Sequence, residues 1–304
     1  MAYLHSDREQ FRDAIDLAYE QTGVMVQAIE KDYYVTMLLR LLAQRMPYIV
    51  FKGGTSLSKC HKVIRRFSED IDITIDTLLS QGQKKKIKQA IMESAEELGM
   101  TIENLDETRS RRDYNRYVIA YDSVIPMASD ALKAAVLLET SYTAVSFPTV
   151  LLPVHSYIGD MMEQEAPDAI EEYNLNPFEM KVQGIDRTLA DKVFAVCDYY
   201  LQGKVAKHSR HLYDIYKLLP LVPQNENFRE LVKEVRAVRE QSVICPSALP
   251  EANVPELLEK IIKERAYKQD YDSLTTQLLE ENVPYDTVIA TLKKVAESSI
   301  FENN

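Results

Sequence analysis

Two short stretches of this sequence decide its fold: Phe51-Lys52-Gly53-Gly54-Thr55-Ser56-Leu57-Ser58-Lys59-Cys60 and Arg66-Phe67-Ser68-Glu69-Asp70-Ile71-Asp72-Ile73-Thr74-Ile75. An apolar run from Tyr48 to Phe51 that ends at two glycines is typical of a buried strand entering a tight turn. The run from Leu57 to Phe67 has room for about three helical turns. From Asp70 onward apolar and polar residues alternate, which predicts a strand with isoleucines on one face and Asp70, Asp72 and Thr74 on the other.

The two aspartates suggest a metal site. Residues two apart on a strand face lie roughly 6.6 Å from one another, close enough for two carboxylates to share a divalent cation. Packing does not favour adjacent acids, because like charges repel. Glycine backbone N–H groups can approach a phosphate closely, and the start of the following helix adds unpaired donors. The two stretches therefore predict a metal-dependent site for a nucleoside triphosphate.

Two helices are predicted ahead of these stretches. Ser6-Asp7-Arg8-Glu9 has the form of a capping box and would open a helix that Gly23 ends. A second helix is predicted from Val26 to Arg45, and Pro47 stops it.

The sequence resembles the nucleotidyltransferase superfamily that shares the catalytic fold of DNA polymerase beta. More narrowly, it is similar to the AbiEii/AbiGii toxin branch, whose members carry close relatives of Gly-Gly-Thr-Ser-Leu-Ser-Lys-Cys and Arg-Phe-Ser-Glu-Asp-Ile-Asp-Ile. The similarity is strong over residues 29–76, weaker near Glu139 and over 188–218, and not evident in the last third. It implies an α+β fold, with a nucleotidyltransferase domain of mixed sheet and flanking helices over residues 1–168. A mainly helical C-terminal domain is expected over residues 178–304, after an acidic, loop-like stretch.

Glu139 is the candidate third carboxylate. It follows the near-continuous apolar run Ala134–Leu138, and an unpaired carboxylate inside a sheet is costly unless a cation accompanies it. In the superfamily a third carboxylate on a neighbouring strand completes the metal site, and the resemblance assigns that role to Glu139. The alternative is that Glu139 lies beyond the buried part of the sheet.

The C-terminal half contributes further candidates through the resemblance alone. In the toxin branch a lysine on one helix and an Arg-Asp-x-x-Asp run on the next line the nucleotide cleft. Lys192, Arg210 and Asp214 match this pattern, whereas His211 replaces its first acid. The resemblance implies catalytic roles for Lys192 and Asp214, and nucleotide binding by Lys192 and Arg210 together with Gly53, Gly54, Thr55 and Ser56. The alternatives are a surface lysine at Lys192 and a salt bridge from Asp214 to Lys217 or Arg210.

The leading hypothesis is a nucleotidyltransferase that moves a nucleoside monophosphate from an NTP to an acceptor and releases pyrophosphate. Asp70, Asp72 and Glu139 would hold Mg²⁺ (or Mn²⁺) ions. The resemblance also implies an RNA acceptor such as tRNA, a role in a toxin–antitoxin or phage-defence system, and a separately encoded antitoxin.

Two alternative functions stay open. The run Asp70-Ile71-Asp72-Ile73-Thr74 also fits the D-x-D-x-T motif of aspartyl-phosphate phosphatases, in which the acids end a buried strand. Here the apolar alternation follows the acids, which disfavours that chemistry. The other alternative is a non-catalytic nucleotide- or protein-binding module of the same fold, which the histidine at position 211 allows.

Composition sets the outer limits. A chain of 304 residues with 46% hydrophobic and 27% charged residues is typical of a globular protein of two domains. The net charge of −11 argues against sequence-blind nucleic-acid binding. An acidic chain can still carry a local basic surface, and the candidate residues for one are Arg109, Arg111, Arg112 and Arg116. No apolar run has membrane-spanning length, so no membrane association is expected. Three cysteines without metal-type spacing favour a reducing cytoplasm.

Overall fold

The chain forms two compact units in a computed structural model that describes residues 2–68, 70–126 and 133–302. The first unit comprises Met1–His61 and Ser68–Gln183, and the second comprises Lys62–Phe67 and Gly184–Asn304. The sequence predicted a boundary between residues 168 and 178. The division instead falls after Gln183, because the segment Phe178–Gln183 is a strand of the first unit's sheet.

A mixed sheet of seven strands organises the first unit, as the resemblance implied. Its strands are β1 (Ile49–Lys52), β2 (Ile71–Ile75), β3 (Thr101–Ile102), β4 (Tyr114–Ala120), β5 (Ala135–Val145), β6 (Thr149–Val154) and β7 (Phe178–Gln183). Their order across the sheet is β3-β4-β5-β2-β1-β7-β6. The pairs β2–β5 and β1–β7 are parallel, and the other four pairs are antiparallel. The strand that carries the aspartates therefore lies in the middle of the sheet, between β5 and β1.

One face of the sheet is buried against helices. The side chains of Ile71, Ile73 and Ile75 are at most 1% exposed, which confirms the predicted alternation. The helices of this unit are α1 (Arg8–Thr22), α2 (Val26–Arg45), α3 (Gly53–Lys59), α4 (Gln81–Glu97), α5 (Tyr157–Glu165) and α6 (Pro167–Glu172). Helix α2 has the predicted bounds and is buried over most of its surface, including Glu30, which accepts hydrogen bonds from the Val124 amide and the Ser123 hydroxyl.

The prediction of a helix from Leu57 to Phe67 is wrong. Helix α3 begins at Gly53, directly after β1, and ends at Lys59, whose ammonium group forms an ion pair with Asp32 on α2. Beyond it Lys62 has a φ of +54°, and the backbone of residues 65–67 hydrogen-bonds to residues 278–280 of the second unit instead of to its own helix. The tertiary partner thus overrides the local helical pattern.

The second unit is helical apart from an isolated β-bridge between Arg66 and Leu279. Its helices are α7 (Ile185–Leu201), α8 (Arg210–Leu218), α9 (Glu226–Glu240), α10 (Val254–Glu264), α11 (Lys268–Asp270), α12 (Thr276–Leu278) and α13 (Tyr285–Glu297). A π-helical segment, Tyr271–Thr275, joins α11 to α12. The apolar sides of α7 and α8 are buried, as predicted. Within the ranges described above, no helix combines the length and apolarity needed to cross a membrane.

Candidate active site

A row of four charged residues crosses the middle of the sheet. Lys52 on β1 is paired with Asp72 on β2, Asp72 with Glu139 on β5, and Glu139 with Arg116 on β4. Directly paired residues place their side chains on the same face of a sheet, so the row reads positive, negative, negative, positive. The two acids are direct neighbours, and their mutual repulsion favours a cation between or beside them.

The glycine turn lies against the acid of β2. Gly53 has a φ of +79°, in the left-handed region that favours glycine. A Cβ atom added to Gly53 would lie 1.9 Å from Asp72 Oδ2, well inside any real contact distance. The structure therefore brings the predicted turn and the predicted carboxylate together, and this close approach requires a residue without a side chain.

Asp70 carries an enclosed oxygen without a partner. It stands one residue before β2, and its Oδ1 is buried and accepts no hydrogen bond from the part of the protein that the structure describes. A buried carboxylate oxygen without a donor is costly, and a bound cation removes that cost. Oxygen ligands of this kind suit Mg²⁺ or Mn²⁺. The acids thus open the strand, so the arrangement required by the phosphatase alternative, with acids at the end of a buried strand, is not present.

Glu139 lies in the middle of β5, not near a strand end as the sequence suggested, because β5 continues to Val145. Its Oε1 is 3.7 Å from Arg116 Nε, and the hydroxyl of Tyr114 donates a hydrogen bond to its carboxylate. Burial and the charge of Glu139 raise the pKa of Tyr114, which keeps this hydroxyl protonated. Glu139 therefore has partners that partly balance its charge. Among the described residues, no group of three His, Cys, Asp or Glu side chains is arranged to hold a metal ion, so the fit to a cation depends mainly on Asp70 and Asp72.

The hydroxyl groups after the glycines are used within the protein. The Thr55 and Ser68 hydroxyls lie 2.9 Å apart in a hydrogen bond, and the Ser56 hydroxyl donates to the Gly53 carbonyl. Both Thr55 and Ser56 are buried. The hydroxyl contact with Ser68 fixes the chain two residues before Asp70, so these side chains shape the site, while the backbone N–H groups of the turn are the candidates for a phosphate.

The second unit contains a buried cluster of charges around Asp214. Arg66 donates to both carboxylate oxygens, from Nε to Oδ1 at 2.7 Å and from Nη2 to Oδ2 at 2.8 Å. Lys192 Nζ donates to Oδ2 at 2.6 Å. The side chain of Asp214 is completely buried, and those of Arg66 and Lys192 are 2% and 8% exposed. The partners of Asp214 are thus Arg66 and Lys192, not the predicted Lys217 or Arg210, and Lys217 binds Glu281.

The ionisation of this cluster follows from its geometry. Burial alone would raise the pKa of Asp214, but the charges of Arg66 and Lys192 outweigh burial and hold that pKa well below its usual range. Burial lowers the pKa of Lys192, and the nearby carboxylate opposes this shift. Asp214 is therefore a charged acceptor that uses both of its oxygens to hold two cations.

Arg210 and His211 begin helix α8, and both are half-buried. The Nδ1 atom of His211 is enclosed and has no partner among the described residues, and its ring stacks with those of Tyr199 and His208. Burial lowers the pKa of His211 well below its usual value, so the ring is neutral near pH 7. A neutral ring cannot supply the charge of the acid that the toxin-branch pattern has at this position.

The sequence predicted no function for three of the residues described above. Lys52 and Tyr114 lie beside the acids only because of strand register, and no local pattern reports register between distant strands. Arg66 stands within the motif that identified the site, four residues before Asp70, but its partner Asp214 is far away in the sequence. Its position in the motif was the only available signal.

Comparison with known proteins agrees with this geometry. A family model described as the nucleotidyl transferase AbiEii toxin of a type IV toxin–antitoxin system matches residues 36–291. Among solved structures, the chain is similar to the nucleotidyltransferase toxin MenT4 from Mycobacterium tuberculosis H37Rv. The TM-score is 0.51 at 17% sequence identity, over 93% of this chain and 88% of that one. At this identity the likeness supports the fold alone. No curated protein matches the sequence.

Proposed function

Because the chain belongs to the AbiEii nucleotidyltransferase toxin family, we propose that it transfers a nucleoside monophosphate from an NTP to an RNA acceptor, with a divalent metal ion held by Asp70 and Asp72. The observations that carry this proposal are the contact of Gly53 with Asp72 and the buried Oδ1 of Asp70, which has no hydrogen-bond partner among the described residues. A phosphate-binding turn and a pair of metal-binding acids are the two components that such a transfer requires.

We assign the remaining steps to named groups of the chain. The acceptor hydroxyl oxygen forms a bond to the α-phosphorus while the bond from that phosphorus to pyrophosphate breaks. Glu139, next to Asp72 in register, receives the hydroxyl proton. The backbone N–H groups of Gly53 and Gly54 bind the triphosphate. A bound divalent ion supplies positive charge against the oxygens of the reacting phosphate.

An RNA acceptor is supported by a basic surface in the first unit. Lys88 Nζ donates to the carbonyls of Thr108 at 2.9 Å and Leu105 at 3.4 Å, which holds helix α4 against the connection between β3 and β4. Lys85, Lys86, Arg111 and Arg112 are exposed there, and we call these four residues the basic surface. The chain then enters β4, where Tyr114 is 51% exposed and contacts Glu139. Cations that meet phosphates and an exposed ring that can stack on a base suit a single-stranded RNA end such as that of tRNA.

The family description also bears on biology. A type IV toxin implies a separately encoded antitoxin, and we propose a role of this kind, in toxin–antitoxin control or phage defence. The three cysteines are free and buried, which agrees with our proposal that the protein works in a reducing cytoplasm.

The test uses the purified protein, total cellular RNA and each of the four NTPs labelled at the α-phosphate, with Mg²⁺, with Mn²⁺ or with EDTA. We expect label to enter RNA only when metal is present. Asp70→Asn and Asp72→Asn, which keep size and remove charge, should lower the rate by about a thousandfold or more. Asp76→Asn is the matched control, because Asp76 follows the same strand but forms an ion pair with Lys181. Transfer that survives EDTA, or that both Asn variants retain, contradicts the proposal.

A further inference from the structure

The segment just before the aspartates is fixed in the other unit. Residues Lys62–Phe67 belong to the second unit, although α3 and Ser68 on either side of them belong to the first. The Arg65 amide donates to the Tyr213 hydroxyl at 3.0 Å, the Phe67 amide donates to the Leu278 carbonyl at 2.8 Å, and the Glu280 amide donates to the Arg65 carbonyl at 3.0 Å. These bonds hold a short extended stretch that ends three residues before Asp70.

The centre of this attachment is the two-bond contact of Arg66 with Asp214. Both side chains are at most 2% exposed, and a planar guanidinium that meets both oxygens of a carboxylate has a single favourable orientation. Breaking such a buried pair leaves a charge without a partner, which strongly disfavours any other course of the chain at Arg66. On the other side, the hydrogen bond between Thr55 and Ser68 holds the next residues in the first unit. The backbone is therefore fixed on both sides of the Phe67–Ser68 peptide bond.

We propose that Asp214 is a positioning residue that acts through Arg66: their contact fixes the chain that delivers Asp70 and Asp72 to the metal. A role in which Asp214 touches the nucleotide itself does not fit its complete burial and its three charged hydrogen bonds. The inference rests on the proposed function for its metal and kinetic readouts, but its structural readout does not.

The first measurement is amide hydrogen exchange over peptides that cover residues 62–72, which needs no turnover. Arg66→Gln and Asp214→Asn should both exchange faster there than the wild type. The matched control is Arg239→Gln, which breaks a comparable pair in the same unit, with Asp198 at 2.7 Å, far along the chain from the aspartates. It should leave exchange over 62–72 unchanged. Tyr213→Phe is a milder variant, which removes the hydroxyl that accepts from the Arg65 amide and donates to Glu281, and it serves if the charge variants do not fold.

The second measurement is the binding of Mn²⁺ by electron paramagnetic resonance, followed by the Mg²⁺ concentration for half-maximal transfer. Loss of groups that orient metal ligands typically weakens metal binding by about 10- to 100-fold, and we expect that range for Arg66→Gln and Asp214→Asn. Because they act through one contact, the double variant should be no worse than the worse single variant. The KM for NTP at saturating metal should stay near the wild-type value, and Arg66→Lys should restore part of the metal binding.

Three results would overturn the inference: unchanged exchange over 62–72 in Arg66→Gln, an equal change in Arg239→Gln, or losses of Arg66→Gln and Asp214→Asn that multiply in the double variant. The last result would mean that Asp214 acts on the substrate directly. If the wild type neither binds Mn²⁺ nor transfers a nucleotide, the proposed function fails, and the exchange comparison alone decides whether the contact fixes residues 62–72.

Discussion

Replacement of Gly53 by alanine tests the site most directly. The new Cβ would lie 1.9 Å from Asp72 Oδ2, and real Cβ atoms essentially never come closer than 3.0 Å to another atom. The carboxylate oxygen or the turn must therefore move by at least 1.1 Å. A misplacement of about 1 Å at a reacting centre can cost on the order of a hundredfold in rate. We expect Gly53→Ala to lose about two orders of magnitude in nucleotide transfer.

The same substitution has a second, separable cost. Gly53 has a φ of +79°, and an L-residue in the left-handed region costs about 1–2 kcal/mol. Gly99 is the matched control, because its φ is +64° and an added Cβ would meet nothing within 4 Å. Both variants should lose about 1–2 kcal/mol of unfolding free energy, which lowers the melting temperature by about 2–8 °C. Only Gly53→Ala should also lose activity.

The assay combines thermal unfolding with initial rates of transfer of α-labelled NTP to RNA, at saturating metal and well below both melting temperatures. A hundredfold loss in Gly53→Ala beside a wild-type rate in Gly99→Ala supports the contact between the turn and Asp72. Equal rates in the two variants would refute the reasoning, because the loss would then follow from backbone strain alone. A near-wild-type rate in Gly53→Ala would mean that Asp72 tolerates the displacement and does not act at the position described.

Three further predictions follow from the same geometry. Glu139→Gln should lower transfer by about 100-fold or more if Glu139 is the proton acceptor, with the KM for NTP unchanged, and a rate near that of the wild type would contradict the assignment. Tyr114→Ala should raise the KM for RNA several-fold and leave the KM for NTP unchanged, because the ring that stacks on a base is lost. Tyr114→Phe keeps the ring, so its KM for RNA should stay near the wild-type value, and a weaker RNA affinity in that variant would contradict stacking. The free energy of unfolding should fall as the pH is lowered from 7.5 to 5.5, by up to about 1.4 kcal/mol per pH unit. The reason is that burial lowers the pKa of His211 in the folded state, so that below the ordinary value of 6.5 the unfolded chain binds a proton that the folded protein does not. Urea titrations at both pH values should show a flatter dependence for His211→Gln than for the wild type, and equal dependences would contradict the shift.

The sequence was most informative where one local pattern coincided with one element. Helix α2 and strand β2 have such patterns, and the buried isoleucines of β2 fix which face carries the acids. Even there the details of capping depended on competition between neighbours: the first helix is capped by Asp7, which accepts from the Glu9 and Gln10 amides, and not by Ser6. Asp and Ser are both good capping residues, so spacing alone could not choose between them.

The parts that could not be predicted depend on pairing between distant segments. Helical propensity over residues 57–67 gave no indication that residues 65–67 would pair with residues 278–280. Likewise, the strand run that ends in Glu139 could be recognised from its apolar residues, but its parallel pairing with β2 in register with Asp72 could not. A pattern with period two specifies faces, while register is set by contacts across the sheet.

The row Lys52–Asp72–Glu139–Arg116 explains why one cation site is compatible with an acidic protein. The outer cations stand opposite the two acids, and Arg116 lies 3.7 Å from Glu139, so part of the repulsion between the acids is already offset on that side.

No such offset exists for Asp70 Oδ1, which is buried and has no partner in the part of the chain that the structure describes. Of these three acids, Asp70 therefore has the strongest demand for positive charge. If this is correct, Asp70→Asn should stabilise the metal-free protein, because a charged oxygen that is buried and accepts no hydrogen bond is costly, and it should abolish metal binding. Asp70→Asn should accordingly show a higher melting temperature than the wild type in EDTA and a smaller increase on addition of Mn²⁺. A lower melting temperature in EDTA would mean that the Asp70 carboxylate is already stabilised without a metal.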